Sequence, residues 1–346
     1  MEYNIRFTLD VDLKQNFLES IKYHFHSDYF YSIDDEIKQK YKYRFDNIKK
    51  GEQLGNTGMN ILEIPARKLT NTTKKEKDIK CPLCVSLQVD NAVYPFNLEK
   101  ELLWRGYLIR PNAFPYFKLH YLIQSSDHNE NIDIVTDKSD IQSQKSDLYS
   151  PLRGTQNEVH KNPNLIEDML IFLKIINKGS LLFNGWIGNS LSHMHFHYTD
   201  MDFPIKKKLK IYLYDKDVIK TNNKSKINIY KDNEHNCKNF LFVKGKNPGK
   251  DVFQILQYLS SINLLYNLLI YLKNNTYYVF IYIRKKDQDD LRLNFGATNM
   301  SGLTTLSNNN FKLYEENKKK FLDNIEDYCS KTVIKIDPNE IKNLFS

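Results

Sequence analysis

The stretch Asn184-Gly-Trp-Ile-Gly-Asn-Ser-Leu-Ser-His193-Met-His195-Phe-His197-Tyr198 decides how the chain is read. Three histidines alternate with Met194 and Phe196, and a period of two places alternate side chains on one face of a strand. The pattern predicts three imidazoles lining one face, with apolar residues behind them. The chain holds 9 histidines in 346 residues, so three within five positions stands well above chance. Near neutral pH an imidazole can serve as nucleophile, base or metal ligand. The Gly, Asn and Ser residues just upstream make a turn whose backbone N–H groups can face an anion. An isolated alternation of this kind also fits an ordinary half-buried strand face or a chance metal site, so the rest of the chain has to decide.

Outward from this segment, the chain reads as a mixture of helices and strands. Leu165, Met169, Leu170, Leu173 and Ile176 recur at helical spacing within Asn164–Asn177, which predicts an amphipathic helix. Leu181–Asn184 and His193–Thr199 follow as two strands. Upstream, Leu13, Phe17, Ile21 and His24 predict a helix, and Asn60–Ile64, Leu102–Ile109 and Lys118–Ile123 predict strands. Ser125–Pro151 is polar and reads as an exposed or disordered insertion. Beyond Met201-Asp-Phe-Pro204 the chain turns basic. There Leu209–Leu213 reads as a strand, Thr221–Lys226 as a hairpin loop and Val252–Ile262 as a helix. Leu264–Tyr271 and Tyr277–Ile283 read as an antiparallel pair, and Asn310–Tyr328 as a last charged helix. Helix, strand, turn and strand thus occur once in each half, a faint internal repeat.

Composition bounds the answer. A chain of 346 residues, 41% hydrophobic and 13% aromatic, can bury one large core or two medium ones. A net charge of +8 suits a polyanionic ligand such as a nucleotide and also permits nucleic-acid binding. No apolar run is long enough for a transmembrane helix, and Met1-Glu-Tyr-Asn-Ile-Arg6 carries no signal-peptide pattern, so no membrane association is expected. Four cysteines in so long a chain do not make a disulfide framework, and a reducing, cytoplasmic setting is expected. Cys81-x-x-Cys84 could chelate zinc, act as a redox pair or be two core thiols.

A strand, a small-residue turn and alternating histidines resemble the histidine-triad superfamily. Further segments resemble its larger branch of galactose-1-phosphate uridylyltransferases, GDP-hexose phosphorylases and diadenosine tetraphosphate phosphorylases. These are Ile64-Pro-Ala-Arg67, Cys81-Pro-Leu-Cys84, Tyr107-Leu-Ile-Arg-Pro-Asn112-Ala-Phe114-Pro115, Ser125-Ser-Asp-His128, Tyr266-Asn267-Leu-Leu-Ile and Val279–Arg284. The resemblance implies an α+β fold of two tandem histidine-triad-like units, with mainly antiparallel sheets flanked by helices. Residues 1–205 would hold an N-terminal extension and the catalytic unit, and residues 206–346 a degenerate second unit.

The same resemblance implies a covalent nucleotidyl-histidine on the middle histidine, His195. The two-step chemistry needs a neutral imidazole in line with the leaving group and donors around the phosphoryl oxygens. Ser190 stands where the branch carries a phosphate-contacting serine, and Asn184 resembles the asparagine before its turn, although the turn here is about two residues shorter. His197 departs from the branch, whose phosphorylases and transferases carry glutamine there while the smaller hydrolases carry histidine. Asn112 and Phe114 resemble residues lining the base and ribose side. Arg67 and Arg284 are candidate phosphate clamps, as is Lys285. Cys81, Cys84, His128 and His193 match a structural zinc set. His120 reads as a packed or hydrogen-bonded structural histidine within a strand. The expected partners are a nucleotide or nucleotide-sugar substrate and a phosphate or water acceptor, in a monomer or homodimer. The other classes compatible with the sequence are a non-catalytic nucleotide or RNA binder and an RNA-cap-processing enzyme, which would sandwich a methylated base between aromatics.

Overall fold

A computed structural model describes residues 6–24, 49–54, 59–63, 101–112, 116–117, 119–125, 162–185, 193–207, 218–231, 239–284, 296–306, 316–317, 333–334 and 336–346. The helix expected at Asn310–Tyr328 and the strand expected at Leu209–Leu213 lie almost wholly outside these residues, as does the insertion after Ser125. Within them the fold is mixed α and β, built on a large, mainly antiparallel sheet.

The apolar alternation sets the strands. In chain order they are β1 (Arg6–Phe7), β2 (Lys49–Leu54), β3 (Met59–Glu63), β4 (Leu102–Trp104), β5 (Tyr107–Pro111), β6 (Tyr121–Ser125), β7 (Ser180–Asn184) and β8 (His195–Thr199). They continue with β9 (Ile219–Lys220), β10 (Lys226–Lys231), β11 (Asn239–Gly245), β12 (Leu265–Lys273), β13 (Thr276–Arg284) and β14 (Leu303–Leu306). The large sheet runs β1-β4-β5-β6-β8-β7-β12-β13-β11-β10-β9, while β14, β3 and β2 form a small separate sheet. The helices are α1 (Asp10–His24), α2 (Asn164–Ile176), α3 (Pro204–Lys207), α4 (Gly249–Ser261), α5 (Ala297–Met300) and α6 (Pro338–Asn343). Among the described residues, no helix is long and apolar enough to cross a membrane.

The expected halves meet edge to edge, where β7 pairs with β12 from Asn267↔Asn184 to Tyr271↔Ser180. Outward from that seam the order is β7-β8-β6-β5-β4 on one side and β12-β13-β11-β10-β9 on the other. In each half, a helix after the third of these strands leads into the central hairpin. The faint repeat in the sequence is therefore a repeat of strand order within one continuous sheet.

Leu13 and Phe17 of α1, Phe172 and Leu173 of α2, and Ile255 and Leu259 of α4 share a buried core with Ile123, Phe196, Tyr198, Leu268 and Ile281. Phe172 is completely buried, its ring edge-on to Phe17 and Tyr198 at 5.6 and 5.5 Å. Burying such a side chain contributes about 1.5–3 kcal/mol. Between α2 and β7, Asn177 and Gly179 turn the chain with φ of 57° and 85°. A Cβ on Gly179 would lie 2.6 Å from the Tyr198 ring, so only glycine lets β7 settle beside β8.

Several boundaries differ from expectation. The run Leu102–Ile109 is the hairpin β4–β5, because Arg105 and Gly106 take φ of 48° and 81° and break it. Arg105 then reaches Asp10 of α1 and Asp168 of α2, fastening both helices to the turn. The helix predicted from Val252 starts at Gly249. The β12–β13 hairpin forms as expected, turning on Asn274 and Asn275 with φ of 49° and 55°. Strand β11 was not foreseen; its alternating Phe240, Leu241, Phe242 and Val243 are buried on both faces, which hides the period of two.

Candidate active site

Strand β8 separates the two kinds of residue in the triad segment. Met194, Phe196 and Tyr198 join the core beneath the helices. His195 and His197 take the opposite face, their ring centroids 4.8 Å apart. His193 stands just before the strand, buried, with Nε2 2.9 Å from the carbonyl oxygen of Ser125 and 3.1 Å from its Oγ.

The proton positions follow from the partners. Nδ1 of His195 lies 2.7 Å from the carbonyl oxygen of His193. A carbonyl only accepts, so Nδ1 carries the proton and Nε2 keeps the lone pair. Burial, reinforced electrostatically by His193 and then by Arg110, outweighs that hydrogen bond and pushes the His195 pKa down to about 4. Near pH 7 the ring is neutral, with the lone pair on Nε2 of a buried side chain.

The second histidine is set from the side. The backbone N–H of Tyr116 donates to Nδ1 of His120 at 2.9 Å. The proton of neutral His120 is thereby placed on Nε2, which lies 2.9 Å from Nδ1 of His197. His197 accepts through Nδ1, and its own proton sits on Nε2 as a donor. The Asn112 amide closes on the same His120 Nε2, its Nδ2 at 3.1 Å. A protonated Nε2 favours that amide turned to present its oxygen. One neutral ring thus offers a lone pair and its neighbour offers an N–H.

The sequence matches no protein-family model and no curated protein. Among solved structures, the chain is similar to the yeast Ap4A phosphorylase Apa2, at 15% identity and a TM-score of 0.42 over 89% of this chain and 97% of that one. The complex of that enzyme with Ap4A gives 13% identity and a TM-score of 0.42, covering 87% of this chain and 96% of that one. A DUF4931 family protein from Bacillus cereus gives 12% identity and a TM-score of 0.28 over 64% of this chain and 95% of that one.

The structure gathers some of the expected residues and separates others. Asn112 joins the histidines through His120. Asn184 ends β7 next to the seam, where its Oδ1 accepts from the N–H of Ala297 at 2.6 Å and ties β7 to α5. A Cβ on Gly296 would lie 2.7 Å from that same oxygen, so the glycine permits the close approach. Arg284 is buried at the end of β13, opposite Leu265. It stands three strands from β8, about 14 Å at ordinary strand spacing. Ser190, Phe114, Arg67, Lys285, Cys81, Cys84 and His128 lie outside the described residues.

Of the four expected zinc ligands, His193 alone is described. The Ser125 carbonyl takes the Nε2 proton of its neutral form, so Nδ1 is the nitrogen with a lone pair suited to a metal. Among the described residues, no group of three or more His, Cys, Asp or Glu gathers to hold a metal.

Three residues of the site were missed by sequence reasoning. His120 reads in the sequence as a packed or hydrogen-bonded structural histidine with no part in the site, although it shares the period-two face of Leu122 and Gln124. Arg110 and Gln124 are polar side chains in apolar strand runs, both fully buried. Polar residues interrupting an otherwise apolar strand were the signal that could have found all three.

Proposed function

We propose that the chain is a nucleotidyltransferase acting on a nucleotide diphosphate sugar or a dinucleoside polyphosphate through a covalent nucleotidyl-His195. The observation that carries this reading is the pair of fixed tautomers: a neutral His195 whose Nε2 holds a lone pair, beside His197 whose Nε2–H donates. Nε2 of His195 attacks the α-phosphorus. The P–N bond forms as the bond from phosphorus to the bridging oxygen breaks, and the leaving phosphate departs with the electron pair. An acceptor oxygen then attacks the same phosphorus, and the P–N bond breaks to return the imidazole. Throughout, the Nδ1–H of His195 keeps donating to the His193 carbonyl, which stabilises the charge that the ring gains in the intermediate. The Nε2–H of His197 and the turn N–H groups around Ser190 hold the phosphoryl oxygens. Asn112 and Phe114 line the base and ribose side, Asn184 supports the turn, and Arg67 and Arg284 bind more distant phosphates.

In the same reading, the sheet comprises two tandem histidine-triad-like units, the first of which keeps the chemistry. Cys81, Cys84, His128 and His193 would hold a structural zinc; two thiolates and two imidazoles suit it, and a closed tetrahedron of protein ligands leaves no position for substrate.

Hydrolysis is the second reading, favoured by histidine at position 197. One experiment separates the two. The protein is incubated with NDP-sugars and dinucleoside polyphosphates, diadenosine tetraphosphate among them, with and without phosphate, and followed by intact mass. An adduct of one nucleoside monophosphate is expected. Discharge by phosphate to a nucleoside diphosphate supports the phosphorylase, and discharge by water to the monophosphate supports the hydrolase. Turnover that persists in His195→Ala would overturn both.

A further inference from the structure

We infer that Gln124, held by a buried Arg110–Glu101 pair, is a further donor to the phosphoryl group transferred at His195. The inference rests on the covalent reading above. Gln124 stands directly opposite His195 in the β6–β8 pair, so the two side chains share one face. Directly opposed residues of an antiparallel pair have Cβ atoms about 4.5–5.5 Å apart. A phosphorus atom that reaches His195 therefore lies against Gln124. Both residues are buried at the base of this face, with His195 only 5% exposed.

The orientation of the amide is fixed by chemistry. Nε of Arg110 lies 3.2 Å from Oε1 of Gln124. A guanidinium has no acceptor, so the atom facing it must be the amide oxygen. The NH2 end, with its two donors, is turned away from Arg110. Arg110 and Glu101 are both completely buried, with Nη1 3.7 Å from Oε1 of the carboxylate. That is a long contact, and neither Glu101 oxygen accepts a hydrogen bond. Taking two charges out of water for so loose a pair is costly, and as a stability device it is poor. It makes physical sense as a rigid support that keeps the Gln124 amide from turning over. Arg110 and Glu101 are on this account positioning residues, acting only through Gln124.

The chain thus places an amide donor on the strand beside the histidines. Discrimination between a donor and a mere packing residue comes from Gln124→Glu. A carboxylate there keeps, and strengthens, the contact with Arg110 but removes both donors and sets negative charge against the phosphoryl oxygens. Wild type, Gln124→Glu and Gln124→Met are mixed with diadenosine tetraphosphate, and formation of the covalent adduct is timed by quenched intact mass. Thermal unfolding is recorded alongside. Loss of one such donor typically lowers the rate about 10²–10³-fold. The expected result is a loss of at least that size in Gln124→Glu with unchanged or raised thermal stability, and a similar loss in Gln124→Met. A folded Gln124→Glu that forms the adduct at the wild-type rate overturns the assignment and leaves the covalent reading standing. Wild type that forms no adduct overturns the covalent reading, and this inference falls with it.

Discussion

The tautomer chain through His120 makes the sharpest test of the site. In His120→Phe the ring volume is kept, and both nitrogens are lost. Three groups then lose this partner: the backbone N–H of Tyr116 and Nδ1 of His197, each now in a 2.9 Å hydrogen bond, and the Asn112 amide at 3.1 Å. An unmade hydrogen bond at a buried group costs about 1–3 kcal/mol. Because two of the three contacts are only partly buried, their loss together should cost about 2–4 kcal/mol in denaturant unfolding. The chemical consequence is more specific. Without the His120 proton to accept, His197 is released to carry its own proton on either nitrogen. Nitrogen-15 NMR of the imidazoles reads this directly. Wild type should show the proton on Nδ1 of His195 and on Nε2 of both His120 and His197. In the variant, the His197 signals should shift toward a mixture of tautomers while those of His195 stay fixed by the His193 carbonyl. A wild-type His197 protonated on Nδ1, or a His197 spectrum unmoved by His120→Phe, would refute the reasoning.

Five further outcomes are expected. Relative to Glu101→Gln, stability should fall as pH rises, because burial raises the Glu101 carboxyl from 4.5 to about 7 despite Arg110. Below pH 4.5 both states hold that proton; between 4.5 and 7 only the unfolded chain releases it, so folding weakens by up to about 3 kcal/mol and then levels off. Denaturant titrations of both proteins from pH 4 to 8 would show it in their difference, which removes the opposite contribution of His195, whose lowered pKa stabilises the fold as pH rises; a flat difference would contradict it. Phe172→Ala should cost about 3–5 kcal/mol, because the ring is wholly buried against Phe17 and Tyr198. A loss under 1 kcal/mol would mean the core is packed otherwise. His195→Ala should yield no covalent adduct by intact mass. His197→Gln, which keeps a neutral donor, should retain much of the adduct-forming rate. Elemental analysis of protein purified without added metal should find about one zinc per chain, lost together with Cys81→Ser and Cys84→Ser; metal-free protein of full stability would remove the zinc site.

The sequence by itself determined the local pieces. A period of two put Met194, Phe196 and Tyr198 on one side of β8 and His195 and His197 on the other, because adjacent side chains on a strand must alternate. A period of 3.6 marked α2 for the same kind of reason, and Asn274-Asn275 marked the β12–β13 turn. Those signals lie in residues close along the chain. What joined them did not. His120 meets His197 from 77 positions away, and Arg110 holds Gln124 from the next strand. The order of strands across the sheet decides such meetings, and burial against the helices decides that order. The proton on each histidine was likewise beyond the sequence, since it is set by whichever carbonyl or N–H the fold brings to the other nitrogen. The repeat shows the same division: each half carried its helix and hairpin in its own pattern, but only the pairing of β7 with β12 made them one sheet.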